Sequence, residues 1–179
     1  MPVRPPEVMN LGRLRLRRPR LSDAPAIFEY AGDPVVARYA DWPISTSIAA
    51  IEERLRAREQ EWSSGAELNW VLTVPPDDRA IGGIACTISR HTAEFGYLLA
   101  RRFWGNGYAT EAARGIVDWV FSVRSVWRLA ATCDVDNVAS ARVLEKAGLT
   151  REGILRRAIV RPNLSEEPRD ALLYSKVRE

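Results

Sequence analysis

The segment Arg102-Phe103-Trp104-Gly105-Asn106-Gly107-Tyr108-Ala109-Thr110 sets two glycines between a strand-like run, Ala93 to Ala100, and an amphipathic helix. At such a junction the first helical amides have no partner inside the helix and the helix dipole is positive. Glycine also lets backbone NH groups approach a bound group closely. The segment therefore predicts a cradle for an anion and a phosphorylated ligand to fill it. A Walker loop would need GxxxxGK followed by Ser or Thr, and no such string occurs. A Rossmann fingerprint would place a third small residue where Thr110 stands, after a βαβ opening that the N-terminus lacks.

The rest of the chain surrounds this junction with a recognisable order of elements. Residues 1–10, with three prolines, read as an irregular lead-in, and 11–179 as one domain, a size that can bury a single core. Arg13 to Arg18 alternates as a first strand. Ser22 or Asp23 starts a helix over Ala24 to Ala31, with Pro25 in its first turn and Gly32-Asp33-Pro34 as its stop. A short helical piece follows to Arg38. From the capping cluster Ser45-Thr46-Ser47, the residues Ile48, Ile51, Leu55 and Trp62 recur at helical spacing until Gly65. Runs at Leu68 to Val74, Ala80 to Ser89 and Thr92 to Leu99 suggest an antiparallel meander. A helix over Glu111 to Val123, a strand over Arg128 to Cys133 and a helix over Val138 to Ala147 come next. Strands at Ile154 to Arg161 and Ala171 to Val177, joined by a loop with Pro162 and Pro168, end the chain.

Composition narrows the setting. No apolar run approaches the roughly 18 residues of a membrane span, and the sequence shows no secretory leader pattern, so a soluble cytoplasmic protein is expected. Cys86 and Cys133 lie in separate strand-like runs without CxxC spacing or a histidine cluster, which reads as two buried thiols and no metal. Of the 26 basic residues only Lys146 and Lys176 are lysines, yet the net charge is +3. The alternation within Arg13 to Arg18 fits a half-buried strand with a solvated face better than a nucleic-acid arm. Trp70, Trp119 and Trp127 are expected in the core.

The string Arg102-Phe103-Trp104-Gly105-Asn106-Gly107 matches the (Gln/Arg)-x-x-Gly-x-(Gly/Ala) pattern of the GNAT family of acyl-CoA-dependent N-acetyltransferases. The text Glu94 to Leu99 and Trp104 to Ala112, with Asn137 to Leu149 downstream, resembles the RimJ/RimL-type branch that acetylates ribosomal-protein N-termini. The resemblance spans essentially the whole chain. It implies an α+β fold: a mixed, mostly antiparallel sheet of about seven strands, splayed in the middle and flanked by about four helices. The opening would lie between the strands Glu94 to Leu99 and Arg128 to Cys133. Acetyl-CoA would be the co-substrate, with its pantetheine arm beside the backbone of Tyr97, Leu98 and Leu99 and its pyrophosphate on the amides of Arg102, Phe103, Trp104, Gly105, Asn106, Gly107, Tyr108, Ala109 and Thr110. Asn137 and Ser140 would face the thioester end, although Asn137 serves equally as a helix N-cap.

Direct attack of a neutral amine on the thioester asks for oxyanion donors, a base and a proton for sulfur. The resemblance points to main-chain donors at Leu98 or Leu99 and to Glu94 as the base, acting through water. His91, the one histidine, falls in a turn and reads as a solvated loop residue. Many GNAT enzymes carry a tyrosine where Leu144 stands, so Ser140 is the candidate acid here and Tyr174 a weaker stand-in. An α-amine, with a pKa of about 7.7–8.0, is easier to present neutral than a lysine near 10.4. This favours a protein N-terminus or a small-molecule amine as acceptor. Tyr30, Tyr39, Trp42, Trp62 and the Pro162 to Pro168 loop are expected to wall its pocket. A monomer or homodimer is expected, with no membrane partner. Two other readings stay open: a catalytically silent acyl-CoA sensor, and an arginine-rich RNA- or ribosome-binding module.

Overall fold

The computed structural model describes residues 5–179. Eight strands form one sheet in the order β1-β2-β3-β4-β5-β6-β8-β7. They are β1 (Val8–Asn10), β2 (Arg15–Arg17), β3 (Leu68–Thr73), β4 (Gly82–Ser89), β5 (Thr92–Leu99), β6 (Arg128–Asp134), β7 (Thr150–Arg161) and β8 (Ser165–Val177). Every neighbouring pair is antiparallel except β5 with β6. The five helices are α1 (Ala24–Ala31), α2 (Pro34–Ala37), α3 (Ile48–Ser64), α4 (Tyr108–Ser122) and α5 (Val138–Lys146).

The helices cover both faces. Ala112, Ala113, Ile116, Val117 and Val120 of α4, with Ala141 and Leu144 of α5, pack on Leu16, Trp70, Phe95 and Leu129. Ile27 and Tyr30 of α1, with Ile51 and Leu55 of α3, close a second, smaller cluster on Val71. The α3 boundaries follow from local chemistry: Ser47 accepts the Ala50 amide at 3.2 Å, and Gly65 ends the helix at φ 75°.

Several boundaries differ from the sequence expectation. Among the described residues there are eight strands, because Val8–Asn10, inside the expected lead-in, pairs with Arg15–Arg17. Residues 1–4 of that lead-in lie outside the described residues. The count of five helices includes the short α2. Helix α4 starts at Tyr108, three residues early, because Gly107 at φ 79° turns the chain directly into it. The last two strands are longer than expected and take in Pro168. Strand β6 pairs only with residues 171–177 of β8, so Pro168 lies beyond that ladder. Trp127 is not in the core. It is 56% exposed in the turn before β6, where its amide donates to the His91 carbonyl at 2.8 Å and its ring turns outward. Trp70 is buried and Trp119 packs edge-on to it at 5.2 Å.

Candidate active site

The sheet opens between β5 and β6. Thr92, Ala93 and Glu94 pair with Arg128, Leu129 and Ala130, and beyond that point the two strands part. Along β5 the antiparallel ladder directs the amide and carbonyl of every second residue toward β4. Ala100 donates to Ile81 at 2.8 Å, which places Leu98 on the β4 side and leaves Tyr97 and Leu99 facing the gap. The Leu99 carbonyl accepts the Trp104 indole NH at 2.7 Å. Of the expected backbone contacts, Tyr97 and the Leu99 amide face the opening. Leu98 is the correction: its backbone pairs with Gly83 of β4 and its side chain packs toward α1 and α3.

At the end of β5 a single 3-10 turn, Arg101–Phe103, leads to the glycine loop. Gly105 and Gly107 have φ values of 78° and 79°, a region closed to most side chains. The first intrahelical bond of α4 runs from Glu111 to Gly107 at 3.0 Å, so the amides of Tyr108, Ala109 and Thr110 precede it and are free for an anion. Phe103 and Trp104 contribute no amide to the cradle, because these donate to Ala100 at 2.9 Å and Arg101 at 3.1 Å within the 3-10 turn. Asn106 holds the loop from inside, its side chain donating to the Phe103 and Trp104 carbonyls at 3.2 and 3.1 Å. Arg102 is exposed and stacks over Phe103 at 5.0 Å.

The loop is tied to the β1–β2 turn. Glu111 accepts the Arg13 amide at 2.5 Å, the Leu14 amide at 3.1 Å and the Arg13 guanidinium at 2.9 Å, while Arg13 also donates to the Asn106 carbonyl at 3.0 Å. Burial pushes the Glu111 carboxyl up, but these donors outweigh it and hold it below the usual carboxylate range.

Deeper in the opening, the Tyr97 and Ser140 hydroxyls meet at 2.9 Å. Ser140 is presented by the first turn of α5, where Asn137 caps the helix by accepting the Ser140 amide at 3.1 Å. Burial raises the Tyr97 phenol to about 12. Sequence reasoning used Tyr97 only for its backbone. The available signal was the period of β5: Ala93 and Phe95 are buried under α4, and Tyr97 continues that face toward α5. Leu144 is fully buried, and the Tyr174 hydroxyl donates to Glu145 at 2.9 Å outside the cavity. Cys133 lies beside Ser140, its thiol raised by burial to about 11.

Glu94 projects from the opposite face of β5, at the residue where the strands part. A cavity of about 1250 Å³ runs through the opening and joins Glu94, Tyr97, Ser140 and the glycine loop to Tyr39, Trp42 and Arg161. This exceeds the roughly 300–1,000 Å³ of a single small-molecule pocket and leaves room for two reactants. The Tyr39 hydroxyl bridges to the Asp136 carbonyl at 3.4 Å. Asn163, at the tip of the β7–β8 hairpin, donates to the Ala37 and Trp42 carbonyls at 2.8 and 2.9 Å and accepts the Ile44 amide at 2.9 Å. That clamp was not foreseen. Tyr30, Tyr39 and Trp42 line the cavity as expected, whereas Trp62 packs edge-on to Trp70 at 5.2 Å and stays outside.

Comparison with known proteins gives this geometry a family. Residues 13–150 match the model described as an acetyltransferase (GNAT) domain. An uncharacterized N-acetyltransferase, p20, of Bacillus licheniformis is 28% identical over 153 residues, covering 84% of this chain and 86% of that one. The crystal structure of a GNAT-family acetyltransferase from Bacillus anthracis superposes with a TM-score of 0.79 at 27% identity, over 95% of this chain and 98% of that one. RimL, a ribosomal L7/L12 α-N-protein acetyltransferase solved with coenzyme A, shares the fold with a TM-score of 0.84 at 21% identity, covering 96% and 98%. A parted sheet with a glycine-lined helix start at its mouth, over a chain that matches the family model for most of its length, makes this protein a member of the GNAT acetyltransferases.

Proposed function

We propose that this enzyme transfers an acetyl group from acetyl-CoA directly to a primary amine, a protein N-terminal α-amine or a small-molecule amine, within a ternary complex. The observation that carries the reading is the parting of β5 and β6 immediately after Glu94. It sets Glu94 on the α1–α3 side of the sheet and the Tyr97–Ser140 pair on the α4–α5 side of one continuous cavity.

The cradle fits a coenzyme A pyrophosphate: two glycines at positive φ are followed by three amides with no helical partner. Bound there, acetyl-CoA supplies the acetyl thioester. Tyr97 and the Leu99 amide offer the edge of β5 to the pantetheine, and one of these amides can stabilise the oxyanion. Glu94 takes the proton of the incoming ammonium through water. The Ser140 hydroxyl, itself hydrogen-bonded to Tyr97, donates to the departing sulfur.

The test is thiol release from acetyl-CoA across an amine panel. Intersecting double-reciprocal plots are expected, together with a loss of about 100-fold in kcat for Glu94→Gln at neutral pH and unchanged coenzyme A affinity. Equal rates for Glu94→Gln and the parent enzyme remove Glu94 as the base. Tight acetyl-CoA binding with no turnover of any amine leaves the silent acyl-CoA sensor.

A further inference from the structure

Arg161 closes β7 at the hairpin end of the cavity. Its residue is 7% exposed and lines the cavity, and its buried Nε has no hydrogen-bond partner. No ion pair or side-chain hydrogen bond to Arg161 forms among the described residues. The two acids that act on it are otherwise engaged or too distant. Asp134 is engaged elsewhere: Arg169 donates to its two oxygens at 2.7 and 3.0 Å, and the Asp136 amide adds a third bond at 3.0 Å. Asp41 is exposed and forms no ion pair among the described residues. The charge is felt without being paired, and burial lowers the Arg161 pKa against the pull of Asp41 and Asp134.

A guanidinium cannot escape this penalty by losing its proton at ordinary pH. Burying it without a partner is among the costliest arrangements in a fold. The planar fork of an arginine matches the two oxygens of a carboxylate or phosphate. Arg161 also lies on the acceptor side. Asn163, two residues on, clamps the Trp42 loop, and Tyr39 and Trp42 line the same end. The glycine cradle, which receives the donor's phosphates, is at the other end, at the start of α4.

We propose that Arg161 is an anion-recognition residue of the acceptor site, so that the preferred acceptor is an amine that also carries a carboxylate or a phosphate. This rests on the acetyl-transfer reading above. An arriving anion would make the missing pair in the cavity and hold the amine end of the same molecule toward the opening. A neutral amine would leave the guanidinium unpaired.

The experiment uses matched acceptors: amino acids against their carboxamides, and O-phosphoethanolamine against ethanolamine, compared at equal concentrations of neutral amine. The wild-type enzyme is expected to favour one or both anionic classes, which identifies the anion. Arg161→Gln should remove that preference, raising KM for the anionic member about 10- to 100-fold while kcat and coenzyme A affinity stay within about 2-fold. Arg161→Lys should keep part of it. Arg161→Met, close in volume and uncharged, should melt no lower than the parent.

Equal losses on both members of a pair, a lowered melting temperature in all three variants, or a loss of coenzyme A affinity would each overturn the assignment. Should the wild type acetylate none of these amines, calorimetric titration of the same compounds decides separately. Binding of anionic members that disappears in Arg161→Gln upholds the anion site while the transfer reading falls, and absence of such binding overturns the site itself.

Discussion

The hydroxyls of Tyr97 and Ser140 lie 2.9 Å apart, one carried by β5 and the other by the first turn of α5. Tyr97 is held at about 12, whereas a free thiol ionises near 8.5. Full proton transfer from this phenol to a thiolate would run uphill by about 3.5 units, or roughly 5 kcal/mol. On the proposed acetyl-transfer reading, the pair would therefore act as a chain of hydrogen-bond donors to sulfur, with the proton arriving from water.

That assignment predicts an order of effects. Ser140→Ala should lower kcat about 10- to 100-fold, the cost of a hydrogen bond to a charged group, with KM for acetyl-CoA little changed. Tyr97→Phe should cost less, and the double variant no more than Ser140→Ala alone, because Tyr97 acts through Ser140. Steady-state kinetics of the three variants checks this. Multiplicative losses would show two independent roles.

The cradle glycines are separable by substitution. Both sit at φ near 80°, so Gly105→Ala and Gly107→Ala should each lose about 1–2 kcal/mol of stability. Around Gly105 an added methyl meets open space, whereas at Gly107 it comes within 3.4 Å of the Arg13 guanidinium. Gly107→Trp should abolish the thermal shift given by coenzyme A, since the side chain would stand over the free helix amides. Thermal melts with and without coenzyme A separate backbone strain from lost binding.

How much of this was legible depended on the range of the interactions. The glycine loop, the strand before it and the Asn137 cap are local patterns, and the positive-φ turn, β5 and the α5 cap form where those patterns put them. The Tyr97–Ser140 bond joins residues 43 apart and the Asn163 clamp joins residues more than 110 apart. Neither leaves a local periodicity. Trp127 is exposed rather than in the core because its position in a turn, not its type, decides its burial. For Leu98, naming a strand does not say which alternate residues face its open edge. Register does, and register is a tertiary property.

Glu111 makes the anchoring of the cradle depend on pH in a defined direction. Its folded pKa is depressed, so its contribution is fully present above the unfolded value of about 4.3 and is lost as pH falls through the lower folded value. At pH 7, Glu111→Gln should cost about 1–2 kcal/mol, because the Arg13 and Leu14 amides lose a charged acceptor. The gap in stability between this variant and the parent should narrow from pH 5 to pH 3. Urea titrations at several pH values measure it, and a gap constant over that range would show that the carboxylate charge contributes nothing.

Cys133 distinguishes direct transfer from a covalent acyl-enzyme. It lines the cavity beside Ser140 and could in principle receive the acetyl group, but it is 3% exposed and its thiol is raised to about 11. At pH 8 only about one molecule in a thousand would carry the thiolate, against roughly a quarter for an ordinary cysteine near 8.5. Cys86 is held higher still, at about 12, and is equally enclosed. Cys133→Ala should therefore keep kcat within about 2-fold. Iodoacetamide should label neither thiol in the native protein at pH 8 on the timescale that labels both in urea, and acetyl-CoA should slow any residual labelling of Cys133 because the two would share the cavity. Mass spectrometry of the labelled peptides reads both sites at once. An acetylated Cys133 peptide trapped from a reaction mixture, or parallel double-reciprocal plots, would replace direct attack with a two-step transfer.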